Sequence, residues 1–168
     1  MDCIAGRKTT GRLQGSIRLN NKLTTDFNPN ILKKLMGYVE QQDLHNGLAT
    51  VRESLLFSAA LRLPVTVTAA QRAEYVNEIL DLLELSSVAD KIVGNAKYSG
   101  LSQGQLKLLT IGCELAANTP ILFLDEPTSV SMPNINNTCV NNISTKPRLV
   151  VFLNYCILVD RHWTQMLL

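Results

Sequence analysis

No two cysteines in this sequence form a C-x-x-C pair: Cys3, Cys113, Cys139 and Cys156 stand far apart. With two histidines in the whole chain, a zinc site is excluded, and dispersed thiols fit a reduced, cytosolic setting. An excess of one charge is missing too. The net charge of +2 offers no special attraction to nucleic acid or to an anionic membrane. No apolar run reaches the ~20 residues that span a bilayer. The longest, "LVVFLNYCILV" at 149 to 159, is interrupted by Asn154. No secretory signal, internal repeat or coiled-coil heptad is present. With 46% hydrophobic and 18% charged residues, the composition is globular, and 168 residues suffice for one domain with its own core.

What is present is a series of helix starts between strand-like runs. "LQGSIRLNN" (13 to 21) alternates polar and apolar residues and predicts a half-exposed, antiparallel strand. "LMGYVEQQDLH" (35 to 45) predicts a short strand leading into a polar loop. Thr50 and Glu53 make a T-x-x-E capping box for a helix carrying Val51, Leu55, Leu56 and Ala59 and ending near Pro64. Thr68 and Gln71 repeat the device for a second helix, with Val76, Ile79, Leu80 and Leu83 at core spacing. Ser102 and Gln105 form a third box, with Leu101 and Leu106 placed as a hydrophobic staple. The helix behind it is expected to bury Leu106, Leu109, Cys113 and Ala116. Its start, with Gly104 in the first turn, offers unpaired backbone N–H groups and a positive dipole end to an anion.

The run Ile121-Leu122-Phe123-Leu124 predicts a strand covered on both faces, as in a parallel α/β sheet, and it ends on Asp125 and Glu126. Carboxylates are costly to bury unpaired, so they belong at the strand's carboxyl end, where such sheets bind ligands. One acid there can hold Mg²⁺ and the second can orient or deprotonate a water. Beyond Ser129 the composition shifts. Residues 130 to 147 are rich in Asn, Ser, Thr and Pro and predict an irregular segment, with sequons at Asn136 and Asn142 that nothing else ties to secretion.

Together these segments resemble the nucleotide-binding domain of an ATP-binding cassette (ABC) protein over residues 1 to 129. "ILFLDEPTS" resembles the Walker B strand and the glutamate after it, and "LSQGQ" the LSGGQ signature with Gln103 at the first glycine. "GYVEQQDLH" is similar to the Q-loop, with Gln41 as its glutamine. "AGRKTTG", "TVRESLLFSAALRLP" and "LTIGCELAANTP" resemble the pleiotropic-drug-resistance, G-subfamily exporters. The resemblance implies an α/β, partial P-loop NTPase (ABC ATPase) fold with a helical subdomain at about 50 to 117 and a core strand at 120 to 125. It implies ATP and Mg²⁺ as cofactors, Asp125 as the metal ligand, and Glu126 and Gln41 as catalytic residues. Leu101, Ser102, Gly104 and Gln105 would face ATP held by a second nucleotide-binding domain. Transmembrane domains, on the same or a longer chain, would be the other partner, placing the domain at the cytoplasmic face of a membrane. No nucleic-acid partner is implied.

Several departures accompany the resemblance. No G-x-x-x-x-G-K-[ST] occurs, and "GRKTTG" at 6 to 11 lacks the preceding glycine. Met1 is expected to fall just after that motif. Val130-Ser131-Met132 stands where the family has GLD, and "DRHWTQ" does not resemble its switch-histidine context, so His162 reads as a surface residue. Val-Ser can be encoded by an intron donor sequence, so 130 to 168, a tail that does not match the family and is expected to be irregular, is open to reading as translated intron. Leu106 and Leu108 replace the family's arginines and remove charge expected near the nucleotide interface. Without the P-loop strand, expected beside the 120 to 125 strand, the core should be open-edged. The leading expectation is an exporter's ATP-binding and ATP-hydrolysing domain, inactive as an isolated chain. The alternative is a non-catalytic fragment acting as a binding or interfering module. A soluble ABC ATPase of translation or DNA repair is less well supported, since basic patches and coiled-coil insertions are missing.

Overall fold

The structure is a computed structural model that describes residues 3–7, 10–12, 14–19, 21–94 and 99–124, and the backbone of 150–153 and 156–159. A short hairpin comes first, with β1 (Arg18–Leu19) antiparallel to β2 (Lys22–Leu23) and Asn21 at a φ of 63° in its turn. The antiparallel pairing matches expectation. The strand is much shorter than the alternation over 13 to 21 suggested, because a two-residue partner leaves the rest nothing to pair with.

Helix α1 (Pro29–Leu35) has no counterpart in the sequence reading. Its signals are standard: Asn28 Oδ1 accepts from the Asn30 amide at 2.9 Å, Pro29 sits at the first helical position, and Lys33 and Lys34 close the last turn. It runs straight into β3 (Met36–Val39), the strand expected at 35 to 45.

Three further helices form a layer. They are α2 (Val51–Arg62), α3 (Ala69–Leu82) and α4 (Gln103–Leu115). Each begins at its expected capping box with both reciprocal bonds formed, for example Ser102 Oγ from the Gln105 amide at 3.3 Å and Gln105 Oε1 from the Ser102 amide at 3.0 Å. Val51, Leu55 and Ala59 of α2, Val76, Ile79 and Leu80 of α3, and Leu109 and Ile111 of α4 join one buried cluster. Each Leu or Ile so buried stabilises the fold by roughly 1.5–3 kcal/mol. Leu56 lies only partly buried against that cluster. Gly112 lets α4 come close: a Cβ there would stand 2.9 Å from Leu55 Cδ2 and 3.0 Å from Leu83 Cδ1.

The buried face of α4 is wider than a single stripe. Leu109 and Ala116 are buried as expected, whereas Leu106 and Cys113 are only partly so, and Lys107, Leu108, Ile111, Gly112 and Leu115 are buried as well. The helix is gripped from two sides, by α2 and α3 and by β3, so two faces are covered. This corrects the view of Leu108 as a charge lost at an interface: it lies in the core and Leu106 packs against it.

β4 (Ile121–Leu124) is buried at all four positions and lies between β3 and β5 (Val150–Leu153), parallel to both. β6 (Cys156–Val159) pairs antiparallel with β5 and gives the order β3-β4-β5-β6. The open edge expected beside the 120 to 125 strand is therefore absent, since both sides of β4 are paired. Within 130 to 168, expected to be irregular, the described backbone is strand. "VVFL" and "CILV" are rich in residues that favour strands once a sheet edge is offered. Among the described residues no helix is long and apolar enough to cross a membrane.

Candidate functional site

β3 and β4 run parallel and in register to their ends, with Val39 opposite Leu124. Glu40 and Gln41 therefore leave the sheet at the end where β4 also stops. Asp125 and Glu126, which follow Leu124 in the chain, lie outside the described residues, as do Val130 to Met132, the sequons at Asn136 and Asn142, and His162.

The start of α4 is well defined. Leu101 is partly buried and anchored by its amide to Val93 O at 2.9 Å. Gly100 allows that approach, because a Cβ there would meet Val93 O at 2.1 Å. Ser102 is exposed at the cap, Gly104 is buried and Gln105 is half-buried. The cap engages the amides of Ser102 and Gln105, and those of Gln103 and Gly104 have no acceptor within the helix. That donor set fits an anionic oxygen. Among the described residues no group of three or more His, Cys, Asp or Glu could hold a metal ion.

The sequence reading missed the group that ties this helix to the Gln41 loop. Lys107, fully buried, donates to Glu40 O and Gln41 O at 2.9 Å each and pairs with Asp43 Oδ1 at 3.0 Å. Thr110, one turn on, donates to Asp43 Oδ1 at 2.6 Å, and His45 Nε2 lies 2.8 Å from the Thr110 hydroxyl. With the hydroxyl proton directed to Asp43, the ring is the donor and carries its proton on Nε2. Burial holds the His45 pKa below its ordinary value, assisted by Lys107, against the Asp43 charge and a Leu106 backbone hydrogen bond that raise it. A neutral ring suits that donor role. The signal available in the sequence was a lysine and a threonine three residues apart in an otherwise apolar stretch.

Beside the loop runs an open groove of about 700 Å³, with Leu44, Phe57 and Leu61 on its rim and Cys113 within it. Burial pushes the Cys113 thiol up to about 11, so it stays protonated and unreactive. Arg62 spans from α2 to α4, binding Glu114 Oε1 at 2.8 Å and the Cys113 carbonyl.

The profile of the family described as "ABC transporter" matches residues 1–129. The chain is 47% identical over 129 residues to Pleiotropic drug resistance protein TUR2 of Spirodela polyrhiza, covering 77% of this chain and 9% of that protein. It is 46% identical over 131 residues to ABC transporter G family member 36 of Arabidopsis thaliana, with the same coverage. The chain thus spans about a tenth of the length of these relatives. Among solved structures it is similar to a bacterial ABC transporter cassette in its dimeric form, at a TM-score of 0.65 and 22% identity, over 85% of this chain and 63% of that one. The same cassette in a post-hydrolysis state bound to ADP and Pi gives 0.64. The α/β architecture described above is that of an ABC ATPase cassette.

Proposed function

The chain belongs to the ABC transporter family, and from that premise we propose that residues 1–129 are the ATP-handling part of an exporter's nucleotide-binding domain, to whose sheet 130–168 adds β5 and β6. In this reading Asp125 holds Mg²⁺ and Glu126 activates the attacking water, with Gln41 contacting the metal or that water. Leu101, Ser102, Gly104 and Gln105 turn the positive end of α4 towards the γ-phosphate of ATP held by a second nucleotide-binding domain. Phosphoryl transfer needs positioning and charge neutralisation more than covalent chemistry, and these residues supply both. Transmembrane domains are the remaining partner, and the apolar rim of the groove beside the Gln41 loop is suited to such a contact. The place of action is then the cytoplasmic face of a membrane.

One observation carries the reading: the loop bearing Gln41, at the carboxyl end of β3, is joined through Lys107 to a helix whose start is fully capped yet keeps open donors. The second reading is a module that binds or interferes: the open donors at the start of α4 and the apolar rim of the groove beside the Gln41 loop would serve a partner without catalysis by these 168 residues.

The test is Mg-ATP binding and hydrolysis by the purified chain, alone and mixed with a partner domain that carries a P-loop. Weak binding without turnover by the chain alone is expected. Turnover abolished by Glu126→Gln would make the chain an enzyme in its own right. Lack of binding in both settings would overturn the proposal and leave the interfering module.

A further inference from the structure

Resting on that reading of α4 and the Gln41 loop, we propose that Lys107 is a positioning residue that makes the loop and the phosphate-facing start of α4 one mechanical unit. An ammonium has three donors. Here three acceptors meet it, Glu40 O, Gln41 O and Asp43 Oδ1, and all three belong to the loop. Lysines ordinarily bury the stem and keep the charge in water. Lys107 does the reverse, with 0% exposure. The loop cannot leave without stranding a buried charge, which is costly.

Asp43 is secured in turn by the Thr110 hydroxyl, so both ends of the second turn of α4 grip the loop. Gln41 itself remains exposed while its carbonyl is pinned, as a side chain that must be aimed at a ligand requires. Cap and clamp share the first two turns of one helix. A displacement at Gly104 therefore reaches Gln41, and the reverse.

The experiment uses the full ¹⁵N-labelled chain and two variants. Lys107→Met keeps the length and removes the charge, and Asp43→Asn removes the ion pair alone. In the parent chain the Lys107 ammonium should give a resolved ¹⁵N–¹H signal, because a buried, fully bonded group exchanges slowly with water. Cleavage after Glu40 by a glutamate-specific protease should accelerate about tenfold in Lys107→Met and by less in Asp43→Asn, as local opening becomes easier. Leu109→Ala, which weakens the same helix from its core side, should lower global stability without that selective gain. On titration with Mg-ATP in the presence of an unlabelled partner domain that carries a P-loop, the Gly104 and Gln41 amides should shift with one midpoint in the parent chain. In Lys107→Met the Gly104 shift should persist and the Gln41 shift vanish. Unchanged cleavage after Glu40 in both variants, or a rise no greater than the loss of global stability accounts for, overturns the proposal. If Lys107→Met fails to fold, Asp43→Asn decides. If Mg-ATP shifts neither amide in the parent chain even with the partner domain present, the nucleotide reading falls, and the protease comparison alone judges the clamp.

Discussion

The helical layer and the sheet are built by different kinds of interaction. α2, α3 and α4 lie within one continuous stretch, each opened by a reciprocal capping box and each burying side chains on its neighbours. The sheet joins distant segments: Met36 pairs with Ile121, and Ile121 with Val150. Local bonds form at little loop-closure cost, whereas the sheet must close long loops before any pairing is gained. The two regions meet at α4, whose core face packs on α2 and α3 and whose Lys107 holds the loop leaving β3. The candidate site thus sits at a seam between a locally encoded layer and a non-locally assembled one.

The largest expected effect breaks the helical layer itself. Leu55 is fully buried against α4, and Leu55→Ala should lower stability by about 2–5 kcal/mol in chemical denaturation. If the layer is the foundation, exchange protection of β3 and β4 falls with it; a sheet that keeps its protection would show that it stands independently of the layer. Next comes the helix crossing. Gly112→Ala places a methyl group against Leu55 and Leu83, and a destabilisation of about 1–3 kcal/mol should appear as a lower denaturation midpoint.

A smaller effect sharpens the local character of the layer. Ser102→Ala removes the acceptor for the Gln105 amide and should cost about 1 kcal/mol, with faster amide exchange confined to the first turn of α4. The smallest is pH dependence at the seam. The folded-state pKa of His45 is lowered, so the folded chain keeps a neutral ring where the unfolded chain takes up a proton. Its contribution is complete above the unfolded value of 6.5 and is lost as pH falls through the folded value. Urea midpoints should therefore decline on acidification, and His45→Gln should flatten that part of the profile.

Much of the layer was legible in the sequence. Thr50 with Glu53, Thr68 with Gln71 and Ser102 with Gln105 are pairs three residues apart, and each is formed as read. α1 was equally local in its signals, Asn28 before Pro29, and was passed over because seven residues carry too little periodicity to stand out. The strands at 150 to 153 and 156 to 159 were not legible, since an apolar run says nothing about which edge will receive it.

At the site the division is the same. Gln41, Ser102 and Gly104 were found by motif, and the cap geometry follows from residues three apart. Asp125 and Glu126 were found by motif as well and lie outside the described residues. Lys107 could not be found this way. Its carbonyl acceptors are more than sixty residues away in the chain, and a lysine among leucines reads as a surface residue until the loop that covers it is in place. By itself the sequence determined the three helices of the layer, their caps and the identity of the candidate ligand-facing residues, because those depend on neighbours within one turn or on short motifs. Only the tertiary structure decided the strand order, the burial of Lys107 and its hold on the Gln41 loop, because a buried charge finds its partners through packing between distant segments.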